Sequence, residues 1–202
     1  ATEVDERKLF ELAAKVPFDD RVNHQAAIEE MNITLIKSFL KEIDSKLFEQ
    51  ANSISFEELC RQMQIAKGPS EYIKPVNIGL LLFSEQPEKY FRGAKIEVVE
   101  YEDEVGDKFT EKIFTGPIHM QLKESLRYIK SNILKEKIIK IEGQAESERI
   151  FNFPYSAVEE ALANAVYHRS YEHQSGIEIN IMPDKIEILS FPGPFPPVDN
   201  EQ

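Results

Sequence analysis

The stretch Phe153-Pro154-Tyr155-Ser156-Ala157-Val158-Glu159-Glu160-Ala161-Leu162-Ala163-Asn164-Ala165-Val166-Tyr167-His168-Arg169-Ser170-Tyr171 reads as one helix with two unlike faces. Val158, Ala161, Leu162, Ala165 and Val166 recur at the i, i+3, i+4, i+7, i+8 spacing of a buried stripe. Glu160, Asn164, Tyr167, His168 and Tyr171 lie opposite, and at about 100° per residue they project along one line. Pro154 stops whatever strand precedes. Ser156 followed by Glu159 has the spacing of a capping box, in which a hydroxyl and a carboxylate each satisfy a backbone donor of the first turn. That assignment gives Glu159 a structural task and leaves Glu160 as the carboxylate free for chemistry.

Glu160 and Asn164 stand one helical turn apart, and two readings fit them. An amide oxygen can ligate Mg²⁺, which prefers hard oxygen donors, while a carboxylate on the same face orients or deprotonates a water beside a terminal phosphate. The other reading is a solvated helix face with an i, i+4 hydrogen bond. His168 and His173 are spaced too far apart to share one helical face as a transition-metal pair, and no further ligands flank them. Arg169 suits either a phosphate contact or a surface ion pair. His24 and His119 have no partner legible in the sequence.

Upstream, residues 4–15 read as a short helix, and Pro17-Phe18-Asp19-Asp20-Arg21 ends it. Residues 32–48 are expected to be one helix, with Ile33, Ile36, Phe39, Leu40, Ile43 and Leu47 at helical spacing. Ser55 with Glu58 forms a second capping box, opening a helix that Gly68-Pro69 ends. Two such helices suit a helix-turn-helix, but the second carries little positive charge. The Leu-rich run at 75–83 is expected to be a buried helix. Residues 94–101 and 108–114 alternate and read as paired strands around an acidic turn. Gly116-Pro117 opens a helix with Ile118, Leu122, Leu126, Ile129 and Ile133 on its core side. Strands are expected at 138–141 and 150–153, and a hairpin at 177–188 turns on Pro183-Asp184.

Composition narrows the function classes. The 202 residues are 42% hydrophobic, enough for a sizeable core, and carry a net charge of -12. So acidic a surface repels a phosphate backbone, and no run of more than two adjacent cations relieves it. The single cysteine, Cys60, has no internal partner and falls in an amphipathic stretch, which fits a reducing cytoplasm. No apolar run approaches the roughly 20 residues that span a bilayer. The Gly-x-x-x-x-Gly-Lys-Ser/Thr phosphate loop of helicase and ATPase motors is absent from the sequence. The chain has no initiator Met and stops after a Pro-rich turn, so it is expected to be a piece of a longer protein.

The segment 153–196 resembles the RecG-related transcriptional regulators, whose C-terminal part is a degenerate member of the GHKL ATPase superfamily. The likeness rests on Pro154, Ala157, Glu160 and Ala161, then Asn164-Ala165-Val166-Tyr167-His168-Arg169-Ser170-Tyr171, the 177–188 hairpin, and Pro192-Gly193 with Pro196. The family signature is Asn-Ala-x-x-His-Arg-Asp-Tyr, and Ser170 stands at its aspartate. Residues 75–91 resemble the segment between the family's two domains, and residues 7–23 the tail of its Alba-type, Schlafen-like DNA-binding domain. The resemblance implies ATP and Mg²⁺ as cofactors, Asn164 as the metal-binding asparagine and Glu160 as the catalytic general base. It also places His168, Arg169 and Gly193 at the nucleotide. The superfamily's adenine-reading Asp-x-Gly turn is replaced here by Ser190-Phe191-Pro192-Gly193.

The expected architecture is therefore α+β. It divides into a tail and linker at 1–30, a mixed helical and α/β connecting region at 31–150, and the start of a GHKL-like two-layer α/β sandwich at 151–202. The expected role is a nucleotide- or ligand-sensing and dimerising module of a bacterial transcriptional regulator in the cytoplasm. DNA would be contacted through the preceding domain, a homodimer is expected, and no membrane is involved. A Mg²⁺-dependent ATPase and a scaffold that has lost nucleotide binding are the alternatives.

Overall fold

The structure is a computed structural model that describes residues 16–101, 108–139 and 148–191. The helix expected at 4–15 lies outside these residues, as do the acidic turn, the tip of the 139–148 hairpin and Gly193.

The alternating strands assemble as expected and pair beyond their neighbours. Strand β3 (Ile96–Tyr101) runs antiparallel to β4 (Phe109–Phe114), with Ile96 opposite Phe114 and Tyr101 opposite Phe109. Strand β7 (Ile177–Ile181) lies parallel to β3, Ile96 beside Ile177, and β8 (Ile186–Leu189) closes antiparallel on β7. The order is β4-β3-β7-β8. A parallel pair needs a long crossover. Here the crossover holds helix α5 (Ile118–Tyr128), the β5–β6 hairpin (Glu136–Ile139 and Glu148–Phe151) and helix α6 (Tyr155–Tyr167). Two strands come from each side of position 150, so the segments divided there in sequence share one sheet.

Both helices cover the same face of that sheet. Ile96, Val98, Ile177, Ile179 and Phe114 are buried beneath them, and the Phe114 ring meets Tyr128 of α5 edge-on at 5.9 Å. Helix α5 touches β3 and β4, α6 touches β8, and the two helices pack on each other. The α+β class is as expected, but the two-layer arrangement draws strands and a helix from residues 96–128 as well as from the 151–202 segment in which the sandwich is expected. Ile118, Leu122, Leu126, Ile129 and Ile133 are all buried, the last two in a π-helical turn, Ile129–Ile133, that ends α5. Asn152 then closes the β5–β6 hairpin, accepting from Lys135 N at 2.8 Å and donating to Ile133 O at 3.0 Å.

The helical half departs from the sequence reading at two helix ends. Helix α1 (Ile33–Glu42) stops well short of residue 48, and α2 (Leu47–Gln50) is a separate turn. Between them Asp44 adopts φ 52°, Asp44 N reaches Lys41 O at 3.2 Å, and Ser45 N reaches Leu40 O at 2.9 Å. That pair of bonds is a Schellman closure around a left-handed residue. Helix α3 (Phe56–Gln62) ends the same way at Gln64, φ 59°, several residues before Gly68. Ser55 caps α3 as expected, its hydroxyl accepting from Glu58 N at 3.1 Å. Arg61, the only cation of α3, is held by Glu57 at 2.9 Å. Cys60 is fully buried, and desolvation pushes its thiol up to about 12.

The Leu-rich run forms α4 (Asn77–Phe83), a helix buried on nearly every side. Its one buried amide is paired: Asn77 Nδ2 donates to Phe18 O at 2.8 Å. Short β1 (Ala66–Lys67) and β2 (Lys74–Pro75) flank the turn at Gly68 and lead into α4. The segment before α1 is fastened to this core. Asn77 N reaches Arg21 O at 2.9 Å, Phe18 meets Phe91 edge-on at 5.6 Å, and Arg21 pairs with Glu172.

Candidate functional site

Helix α6 carries the candidate site, and its start differs from the expected capping box. Pro154 occupies the N-cap position with no side-chain cap, and its carbonyl receives Ala157 N at 3.2 Å and Val158 N at 3.3 Å. Proline fixes its own φ, here -72°, and the helix begins at once with Tyr155. Ser156 is thus already helical and cannot cap. Glu159 is still spent structurally, but on its neighbour one turn back: its Oε1 accepts from Tyr155 Oη at 3.2 Å. The Tyr155 ring also carries the Lys130 ammonium at 4.8 Å from its centroid.

The inward stripe is narrower than the spacing suggested. Val158, Leu162 and Val166 are buried, Ala165 is half-buried, and Ala161 faces solvent. The polar line divides. Glu160, Asn164, Tyr167 and His168 are exposed, and among the described residues no side chain hydrogen-bonds to Glu160, Asn164 or His168. Tyr171 turns inward instead, donating to Val166 O at 2.9 Å. Burial raises its phenol well above the ordinary range, against the opposing Arg169 charge.

Arg169 also lies inside. It is 7% exposed, its Nη2 donates to Ser175 O, and its guanidinium sits 4.9 Å over the Tyr171 ring. Nε and Nη1 meet no acceptor, and desolvation holds the group below its ordinary pKa. The chain can bring Ser175 here because residue 93 is glycine: a Cβ there would stand 2.3 Å from His173 O and 2.5 Å from Ser175 O. Glu160 and Asn164 thus lie exposed on α6 and His168 exposed at its C-cap, while Arg169 is buried beside Ser175 and Tyr171. Ser190 Oγ donates to Ala165 O at 3.3 Å, so that hydroxyl is engaged at the helix.

Two features were not legible in the sequence. Tyr167 at the end of α6 lies in the electrostatic reach of Glu42 on α1 and Lys123 on α5, which pair with each other. His119 of α5 stands edge-on to Phe39 at 6.0 Å, with Nδ1 unpaired. These groups come together only through the packing of three helices. A separate open cleft of about 540 Å³ lies between the starts of α1 and the residues after α4, lined by Glu29, Glu30, Asn32, Ser84, Glu85 and Gln86 among others. No residue of α6 lines it. Among the described residues, no group of three or more His, Cys, Asp or Glu side chains is placed to hold a metal ion, and no helix is long and apolar enough to cross a membrane.

No protein-family model matches the chain, and no curated protein matches it. Among solved structures it is similar to the DIP2311 protein from Corynebacterium diphtheriae, with a TM-score of 0.58 at 20% sequence identity. The match covers 95% of this chain and 36% of that one, so this chain spans little more than a third of its length. At that identity the likeness concerns the fold.

Proposed function

We propose that α6 is the ligand edge of a nucleotide-sensing module, and that its ligand is a Mg²⁺-bound polyphosphate. The observation that carries the reading is the open pair Glu160 and Asn164. They stand one turn apart on a helix whose other side is locked into the core, and among the described residues neither is engaged by a neighbour. A Mg²⁺ ion that arrives with phosphates keeps several waters and takes only one or two protein oxygens. One amide and one carboxylate fit that requirement, whereas a resident metal would need more. Asn164 would hold the ion, Glu160 would hold a water beside the terminal phosphate, and the ion would supply charge neutralisation. Among the described residues nothing equivalent serves an adenine ring: the aspartate of the related turn is missing, and Ser190 is occupied. The module therefore reads phosphate and metal more strongly than base.

This reading accords with the resemblance to the RecG-related regulators and the GHKL superfamily. In it the chain senses a nucleotide or related ligand, dimerises, and leaves DNA contact to the preceding domain, consistent with its charge of -12. A scaffold that has lost nucleotide binding is the second reading, favoured by the inward turn of Arg169.

The test is calorimetric titration of Mg·ATP, and of Mg·GTP beside it, into the full-length protein and its Asn164→Ala variant. Saturable heat with both nucleotides, lost in the variant, is the expected result, with hydrolysis then examined in Glu160→Ala. No heat in the parent protein overturns the proposal in favour of the scaffold.

A further inference from the structure

The face of the sheet turned away from α5 and α6 has an unusual polar inventory. Strand alternation places Phe109, Glu111 and Ile113 of β4 on it, opposite Tyr101, Val99 and Glu97 of β3. The same face continues through Glu178 and Asn180 of β7 to Leu189 and Glu187 of β8. Phe109 is 59% exposed, Ile113 47% and Leu189 40%, and Tyr101 stacks obliquely on Phe109 at 6.2 Å. A purely solvated sheet face would carry polar side chains at these positions.

Carboxylates outnumber cations on this face. Lys95 is spent on Glu97, and Lys185 is spent on Glu187 at 2.7 Å. The Asn180 amide donates to Glu178 at 2.8 Å. Asn180 is only 6% exposed, and its Oδ1 accepts nothing, an expensive state for a buried carbonyl. Glu111 has no ion-pair partner among the described residues. Among the described residues Glu111 and Glu178 meet no cation, and they lie between large apolar side chains.

We infer that this face docks a basic amphipathic helix of a partner, with its apolar stripe on Phe109 and Ile113 and its Lys or Arg side chains on Glu111 and Glu178. A helix is the natural cover for a sheet face, as α5 and α6 show on the other side. The charge excess selects a cationic one. This inference is independent of the reading of α6.

The probe is a fluorescein-labelled Leu/Lys peptide of about 14 residues with apolar residues at i, i+3, i+4 and i+7, followed by anisotropy at low and high salt. A Leu/Glu peptide of the same pattern is the control. Saturable binding of the Lys peptide is expected, weakened about tenfold or more by Phe109→Ser and by Glu111→Lys and unchanged by Glu49→Lys on the remote α2 turn. Both test positions are exposed, so the fold is retained, and circular dichroism checks it. Absence of binding overturns the inference. So does equal loss in Glu49→Lys and Glu111→Lys, which reports general charge attraction. Concentration-dependent self-association abolished by Phe109→Ser, without peptide binding, also overturns it and makes the face a contact between copies.

Discussion

Gly79 of α4 lies against the carbonyl of Ile65 so closely that a Cβ on residue 79 would stand 2.8 Å from that oxygen and 2.8 Å from Met31 Sδ. The carbonyl cannot retreat freely, because it receives Val76 N at 2.9 Å. Two effects oppose each other in Gly79→Ala. Helix propensity gains about 1 kcal/mol, while forcing a methyl into a filled core costs about 1–3 kcal/mol. Here the clash is with backbone on one side, so the cost wins. Gly79→Ala is expected to lower stability by up to about 2 kcal/mol, read as a lower urea midpoint at unchanged slope. A midpoint equal to or above the parent's contradicts the contact.

Asp44 and Gln64 each hold a left-handed backbone, φ 52° and 59°, that L side chains occupy at a cost. The Schellman bonds at both sites need that conformation and do not need the side chain. Asp44→Gly and Gln64→Gly are therefore each expected to raise stability by about 0.5–1 kcal/mol, and the pair to add. Alanine at either position should give no such gain. Denaturation of the four single variants separates the backbone effect from the loss of the side chain.

Those two residues also show where sequence reading stopped. Glycine would have announced both helix ends, whereas aspartate and glutamine gave no signal, and Leu47 continued the apolar spacing across the break. The Leu-rich run, the hairpins, the buried row of α5 and the existence of α6 were legible because each is a local periodicity. The parallel pairing of β3 with β7 was not, since nothing local links Ile96 to Ile177. On α6, the outward position of Glu160 and Asn164 was legible from spacing. The inward turn of Tyr171 and Arg169 was hidden, because it depends on Gly93 admitting the 173–175 backbone from far along the chain.

His119 sets an acid-side dependence. Burial lowers its pKa below 6.5, and nearby Lys123 lowers it further against the weaker pull of Glu42. The folded state therefore binds fewer protons than the unfolded chain, and stability present above pH 6.5 is lost as pH falls through the folded pKa. His119→Gln removes the titration. The parent's urea midpoint is expected to fall between about pH 7 and about pH 5 more steeply than the variant's. Parallel profiles would exclude His119 as the source.

Tyr171 sets the alkaline side. Its hydroxyl donates to Val166 O, one of the last carbonyls of α6, and its burial raises the phenol pKa above 10.0. A raised folded pKa favours the protonated form in the fold, so the stabilisation is complete below pH 10.0 and disappears as pH rises through the folded value. Tyr171→Phe deletes the hydrogen bond and leaves the carbonyl unpaired, a loss of about 1 kcal/mol near neutrality. It also deletes the titration. The gap between parent and variant is thus expected to narrow from about pH 8 to about pH 11, as the parent alone must keep a proton on the buried phenol. Cys60 pulls in the same direction, its thiol raised to about 12, but it is present in both proteins and cancels in the difference. Urea midpoints across that range measure the gap. A constant difference would mean that the Tyr171 hydroxyl reaches solvent as readily folded as unfolded, and the Val166 bond would then have no part in holding the loop after α6.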